Sequence, residues 1–230
     1  MAWYEVPFGV IERKPYPQDR YQWGKGNWPT LGWVDYTDGN LGITLANRGT
    51  PGHRLEDGVI NVSLLRSGTK HEWATDPEPL SFDNGKQVYF FSILPHKGDF
   101  REGKSYQFGQ EINNEFLVCK EKFHSDSLPA NKSFLGINAP NIICSTFKLA
   151  EDRKGYILRL YETEGKHTEV SLKMSFKIED GQETDLLEQS DNTRVITKAM
   201  DFIPFEIKTL KIKVNNLKGS KLKIAKKIWA

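Results

Sequence analysis

The chain has 230 residues, enough to bury a sizeable core as one large all-β domain or as two smaller ones. Lysine plus arginine number 32 against 30 aspartate plus glutamate, and the net charge of +2 gives no field for holding nucleic acid or an anionic membrane. Cys119 and Cys144 are too few for a disulfide framework and match no zinc spacing, so reduced thiols are expected. No apolar run is long enough to span a bilayer, and the N-terminus lacks the apolar stretch of a signal peptide. A soluble, cytoplasmic protein is the expectation.

Trp3, Trp23, Trp28 and Trp33 crowd the start of the chain, with Tyr4, Tyr16, Tyr21 and Tyr36 among them. Two readings fit: an irregular N-terminal segment stapled to a sheet by its aromatics, or exposed rings, Trp28 and Trp33 foremost, on which sugars stack. Strand-length runs rich in β-branched and aromatic residues follow at Leu41, Ile43 and Leu45, then over 59–65, 88–94, 142–147, 156–161 and 205–214. Val170, Leu172, Met174, Phe176 and Ile178 alternate with polar residues, which predicts one half-buried antiparallel strand. Turn signals separate the runs at Asp38-Gly39-Asn40, Asp57-Gly58, Asp83-Asn84-Gly85, Lys97-Gly98-Asp99, Glu164-Gly165 and Glu179-Asp180-Gly181. Helical signal is confined to 183–189 and a short turn near Arg101-Glu102-Gly103, neither able to organise a layer. Polar residues 120–132 with Pro129 read as a linker, and the lysines from Lys208 to Lys227 read as a solvated strand face or guarded edge. Many short strands at turn spacing predict an antiparallel sandwich.

Chemistry-bearing patterns are few. Asp35, Asp38, Glu56, Asp57 and Glu162 are candidate carboxylates, but a glycosidase pair must face across roughly 5 to 9 Å, and most of these sit at turns. His53, His71, His96, His124 and His167 show no H-x-x-x-H spacing, and His124-Ser125-Asp126 lies in the linker, so no metal site is assigned to this chain. No nucleophile elbow, phosphate loop or catalytic cysteine signature occurs.

Longer strings carry a resemblance. Residues 6–13, 33–47, 57–67, 94–99, 148–152, 155–165, 185–188 and 204–210 are similar, in the same order, to the C-terminal β region of family-38 glycoside hydrolases, the metal-dependent α-mannosidases. The resemblance implies a partial supersandwich of the galactose-mutarotase-like kind over 1–125, followed by a smaller β-sandwich over 126–230. It also implies that the zinc ligands and the nucleophilic aspartate belong to a preceding α/β domain and a helical bundle follows that domain, with the chain beginning inside the supersandwich.

The expected role is therefore non-catalytic: a scaffold and cleft wall for an α-mannosidase catalytic domain, on the same parent chain or a separate one. No cofactor is expected in this chain, while the parent enzyme is expected to use zinc or a similar divalent metal. Arg66 matches an arginine that approaches the catalytic cleft in animal members, although Ser67 stands where those members repeat a second arginine. A guanidinium there holds a sugar hydroxyl or orients a carboxylate. Arg66, Trp28 and Trp33 are the expected carbohydrate-contacting residues. The alternatives are a stand-alone carbohydrate-binding module, or the interaction subunit of a split glycosidase with an unpaired sheet edge.

Overall fold

A computed structural model describes residues 1–16, 26–65, 85–118, 120, 129, 131–194 and 199–214, with the side chains of 190–194 left aside. The chain divides into two compact units, Met1–Lys120 and Glu121–Ala230. Antiparallel strands build both, with one short helix among the described residues. The all-β sandwich class expected from the alternation is the class the chain adopts.

In the first unit, β1 (Ala2–Val6), β2 (Gly9–Arg13), β4 (Trp33–Thr37), β5 (Leu41–Asn47) and β8 (Phe91–Lys97) form a sheet in the order β2-β1-β4-β5-β8. A smaller sheet joins β3 (Trp28–Pro29), β6 (Gly52–Glu56) and β7 (Val59–Val62) in the order β3-β6-β7. Asp57 and Gly58 close the β6–β7 hairpin with φ of 48° and 81°, the left-handed pair that matches strand twist. Period-two alternation sends Ala2, Tyr4, Val34 and Leu45 toward Leu55, Ile60 and Val62, and this is the apolar core of the unit. The opposite face of the larger sheet presents Trp3, Glu5, Trp33, Asp35, Thr44 and His96, as the pairing register requires. On that face lies α1 (Ser105–Asn113).

In the second unit, β10 (Ile142–Leu149), β11 (Tyr156–Glu162), β17 (Ile207–Val214), β14 (Ile178–Thr184) and β15 (Ser190–Arg194) run in that order across a sheet. Two ribbons complete the unit: β12 (Thr168–Val170) with β16 (Met200–Phe202), and β13 (Leu172–Met174) with β9 (Leu135–Ile137). Leu158, Leu160, Leu210 and Ile212 of the sheet meet Val170, Met200 and Phe202 of the first ribbon in one buried cluster.

Several elements differ from expectation. The single strand expected over 170–178 keeps its alternating burial but splits among β12, β13 and β14. The Asn138 side chain accepts from Ser171 N at 2.7 Å, turning the chain from β16 to β9 as partner. The helix expected over 183–189 is instead the end of β14 and a turn. Asp185 Oδ1 accepts from Leu187 N (2.9 Å) and Gln189 N (2.8 Å), a side-chain competition that closes a turn in place of helical bonds. Glu179-Asp180-Gly181 lies within β14 as a register shift against β17, not as a turn. Helix α1 was not expected. Its buried residues, Ser105, Tyr106 and Gly109, make no apolar stripe, and an interior glycine argues against a helix on propensity. Gly109 is there for approach: a Cβ would overlap Trp33 Cδ1.

Candidate functional site

Polar side chains gather under α1. Asp35, on β4, is fully buried, and its Oδ2 accepts from His96 Nε2 at 2.6 Å, Thr44 Oγ1 at 3.0 Å and Ser105 Oγ at 3.3 Å. The cluster ties β4, β5, β8 and α1 to one carboxylate oxygen. Gly42 makes this possible: His96 reaches diagonally across β5, and a Cβ at Gly42 would run into its imidazole, as would one at Gly103 on the other side. Burial raises the Asp35 pKa, and the neighbouring His96 opposes the rise. Glu5, also buried, accepts from Gly32 N at 2.6 Å and bonds the Tyr106 and Gln110 side chains, and burial raises its pKa as well.

Aspartate, histidine and serine side by side invite comparison with a nucleophilic triad. In a triad the histidine bridges serine and aspartate, whereas here serine and histidine both donate to the same aspartate oxygen. The arrangement fixes α1 and β8 to the sheet and turns the imidazole to Asp35 instead of to Ser105.

In the second unit Glu162 is fully buried and saturated. It accepts from Asn141 Nδ2 (2.8 Å) and from the backbone N–H groups of Glu164 (2.7 Å), Gly165 (2.7 Å), Lys166 (3.1 Å) and Phe205 (3.0 Å). Its bonds define the loop after β11 and pin the turn before β17. Phe205 follows Pro204 with φ of 59°, a left-handed position unusual for an aromatic, and its ring lies over Gly165.

The other candidate carboxylates are occupied locally. Asp38 Oδ1 accepts from Asn40 N and Leu41 N, which lowers its pKa, and Glu56 pairs with Arg54 at 2.6 Å. Buried His53 bonds Pro51 O through Nδ1 at 2.8 Å, and burial lowers its pKa. Cys144 is a half-buried free thiol whose pKa burial raises, a setting for inert sulfur. Among the described residues no group of three or more His, Cys, Asp or Glu side chains could hold a metal ion, so the donor sets present do not fit a zinc-like centre.

The expected sugar-contacting residues scatter. Trp33 has 0% exposure and packs against Phe100 at 5.7 Å and Tyr106 at 5.9 Å, so its ring has no face to offer a sugar and the expectation for it is corrected. Trp28 is half-buried on β3, with the Arg13 guanidinium 4.0 Å from its ring centroid. Arg66 lies outside the described residues, as do Trp23, Cys119, His71, His124 and Asp126. Sequence reasoning missed the Asp35–His96–Ser105 cluster. The available signal was register: Asp35 alternates with core residue Val34, and Gly42 is the residue directly opposite His96 on the neighbouring strand.

Two family models match in order along the chain: the glycosyl hydrolases family 38 C-terminal domain over residues 1–78, and the family 38 C-terminal beta sandwich domain over 141–210. The chain belongs to the C-terminal β region of glycosyl hydrolase family 38. Curated relatives include alpha-mannosidase 2C1 of Homo sapiens, 25% identical over 91% of this chain and 20% of its own length. Alpha-mannosidase G of Dictyostelium discoideum is 28% identical over 90% of this chain and 19% of its own length. The chain thus spans about a fifth of the relatives it matches. A crystal structure of an alpha-mannosidase from Enterococcus faecalis V583 shares the fold with a TM-score of 0.78 at 20% identity, covering 92% of this chain and 24% of that one. Asp35 falls within the first family-38 match and Glu162 within the second. Each buried carboxylate therefore belongs to the stretch that defines its unit. No described helix is long and apolar enough to cross a membrane.

Proposed function

We propose that the chain is the non-catalytic C-terminal β region of an α-mannosidase, supporting a catalytic domain and walling part of its substrate cleft. The observation that carries this reading is coverage: family-38 likeness runs along both units, over 91% of this chain but 20% of the human relative. The engagement of Asp35, Glu5 and Glu162 in structural bonds also favours a scaffold role. On this reading the zinc or similar divalent metal and the nucleophile reside in the catalytic domain, and the assembly works in the cytoplasm. Arg66 and Trp28 are the residues of this chain that contact the mannoside.

The test is hydrolysis of an aryl α-mannoside, with zinc or cobalt present, by this chain alone, by the catalytic polypeptide encoded upstream in the same genome, and by their mixture. Turnover in the mixture only, abolished by chelator, is the expected result. Chelator-sensitive turnover by this chain alone, or an inert mixture, overturns the reading.

A further inference from the structure

Residues 88–94 read Val-Tyr-Phe-Phe-Ser-Ile-Leu, apolar or aromatic at every position but Ser92 and without a charge. A run apolar on both faces belongs inside a sheet, with a neighbour on each side and a layer above and below. The structure puts it at an edge. Among the described residues β8 has β5 as its one ladder neighbour, and that ladder starts at Phe91 opposite Asn47, so Val88–Phe90 project past the sheet. Val88 is 61% exposed, Phe90 59% and Ile93 61%. Leu41, on the same sheet face as Ile93 by register, is 64% exposed.

The other outer strands of the two five-stranded sheets are guarded as edges ordinarily are. Strand β2 ends in Glu12 and Arg13, β10 carries Lys148 and a register shift between Cys144 and Thr146, and β15 has the polar sequence Ser190-Asp191-Asn192-Thr193-Arg194. On β8 the guards, Pro95 and Lys97, stand only in the C-terminal half. Residues 88–94 are the one edge stretch among these that is long, apolar and bare.

We propose that 88–94 is a docking edge on which an extended strand of the α-mannosidase catalytic polypeptide adds to the sheet, Val88, Phe90 and Ile93 supplying its side-chain contacts. Strand addition takes affinity from main-chain hydrogen bonds and specificity from alternate side chains, which suits an edge that no second described strand pairs and that carries apolar residues on both sides. The choice of occupant follows from length, because about four fifths of each matched α-mannosidase lies outside the stretch this chain covers. The inference rests on the function proposed above.

Two variants test it, Val88→Lys/Phe90→Lys and Ile93→Lys, all at exposed positions where lysine leaves the core untouched. Leu187→Lys, at a residue 76% exposed in the second unit, is the control. Affinity for the catalytic polypeptide encoded upstream is measured by calorimetry, and amide exchange is followed with and without it. Each test variant is expected to bind at least about tenfold more weakly with its own melting temperature unchanged, the control to bind normally, and the 88–94 amides to gain protection in the wild-type complex. Unchanged affinity with an active mixture overturns the docking edge and leaves the proposed function standing. A wild-type chain that neither binds nor activates overturns both. A dimer of this chain that Val88→Lys/Phe90→Lys abolishes would assign the edge to a second copy and overturn the proposal.

Discussion

Gly42 is where a missing side chain matters most. With no Cβ, β5 lets the His96 imidazole cross to Asp35, and a methyl there would meet the ring. Gly42→Ala is expected to push His96 off Asp35, leaving a buried carboxylate short of a hydrogen-bond donor at a cost of about 2 kcal/mol, read as a fall in urea midpoint. His53 supplies a different test, through pH. Its imidazole is held neutral by burial, so its folded pKa lies below the ordinary 6.5. As pH falls below 6.5 the unfolded chain takes up a proton that the folded chain refuses, and stability present above that value is lost on the way down to the depressed one. Glu5 and Asp35 act with the opposite sign, because burial raises them above their ordinary 4.5 and 3.8. Their burial costs stability at neutral pH, and the cost is relieved as pH falls through the raised values. In His53→Leu the loss of stability just below pH 6.5 should disappear while the acid-side gain from the carboxylates stays. Urea titrations across that range check it, and an unchanged slope would show that His53 is not the titrating group.

At the scale of elements, Glu162 organises more backbone than any ladder bond beside it. Glu162→Ala strips one acceptor from four backbone N–H groups and Asn141, with an expected cost of about 3 kcal/mol and lost exchange protection at Glu164, Gly165, Lys166 and Phe205. Glu162 was among the carboxylates the sequence marked out, but its role was not legible, because the donors come from a loop and from a turn 43 residues away. Strands were legible where local pattern decides them: β5, β10, β11 and β17 fall on runs of alternating or continuous apolar residues. The stretch 170–178 shows the limit. Its alternation fixed which residues face inward, while the partner changes at Ser171 depend on Asn138, which no periodicity reports. Helix α1 escaped for a related reason. Its docking face is polar and small, chosen to fit Trp33 and two buried carboxylates, so the apolar stripe by which helices are recognised is missing.

For the whole molecule, the question is how a β region with the proposed supporting role would influence turnover. Trp28 and Arg66 answer to different measurements. The Trp28 ring packs against the core of the first unit, so Trp28→Leu lowers stability before it says anything about a cleft. Arg66 precedes Ser67 in the sequence after β7, and the proposed function gives it a contact with the mannoside. If it holds the mannoside, Arg66→Ala should lower kcat/KM of the mixed enzyme about tenfold, equivalent to about 1.4 kcal/mol of transition-state binding. The urea midpoint of the chain and its affinity for the catalytic polypeptide should not move. Arg66→Lys keeps the charge but not the planar fork, so it separates the two ways an arginine can act: recovery of rate points to charge alone, and no recovery to bidentate bonding. A fall in kcat/KM that tracked weakened assembly would instead make Arg66 an interface residue, and the cleft contact would pass to the catalytic domain.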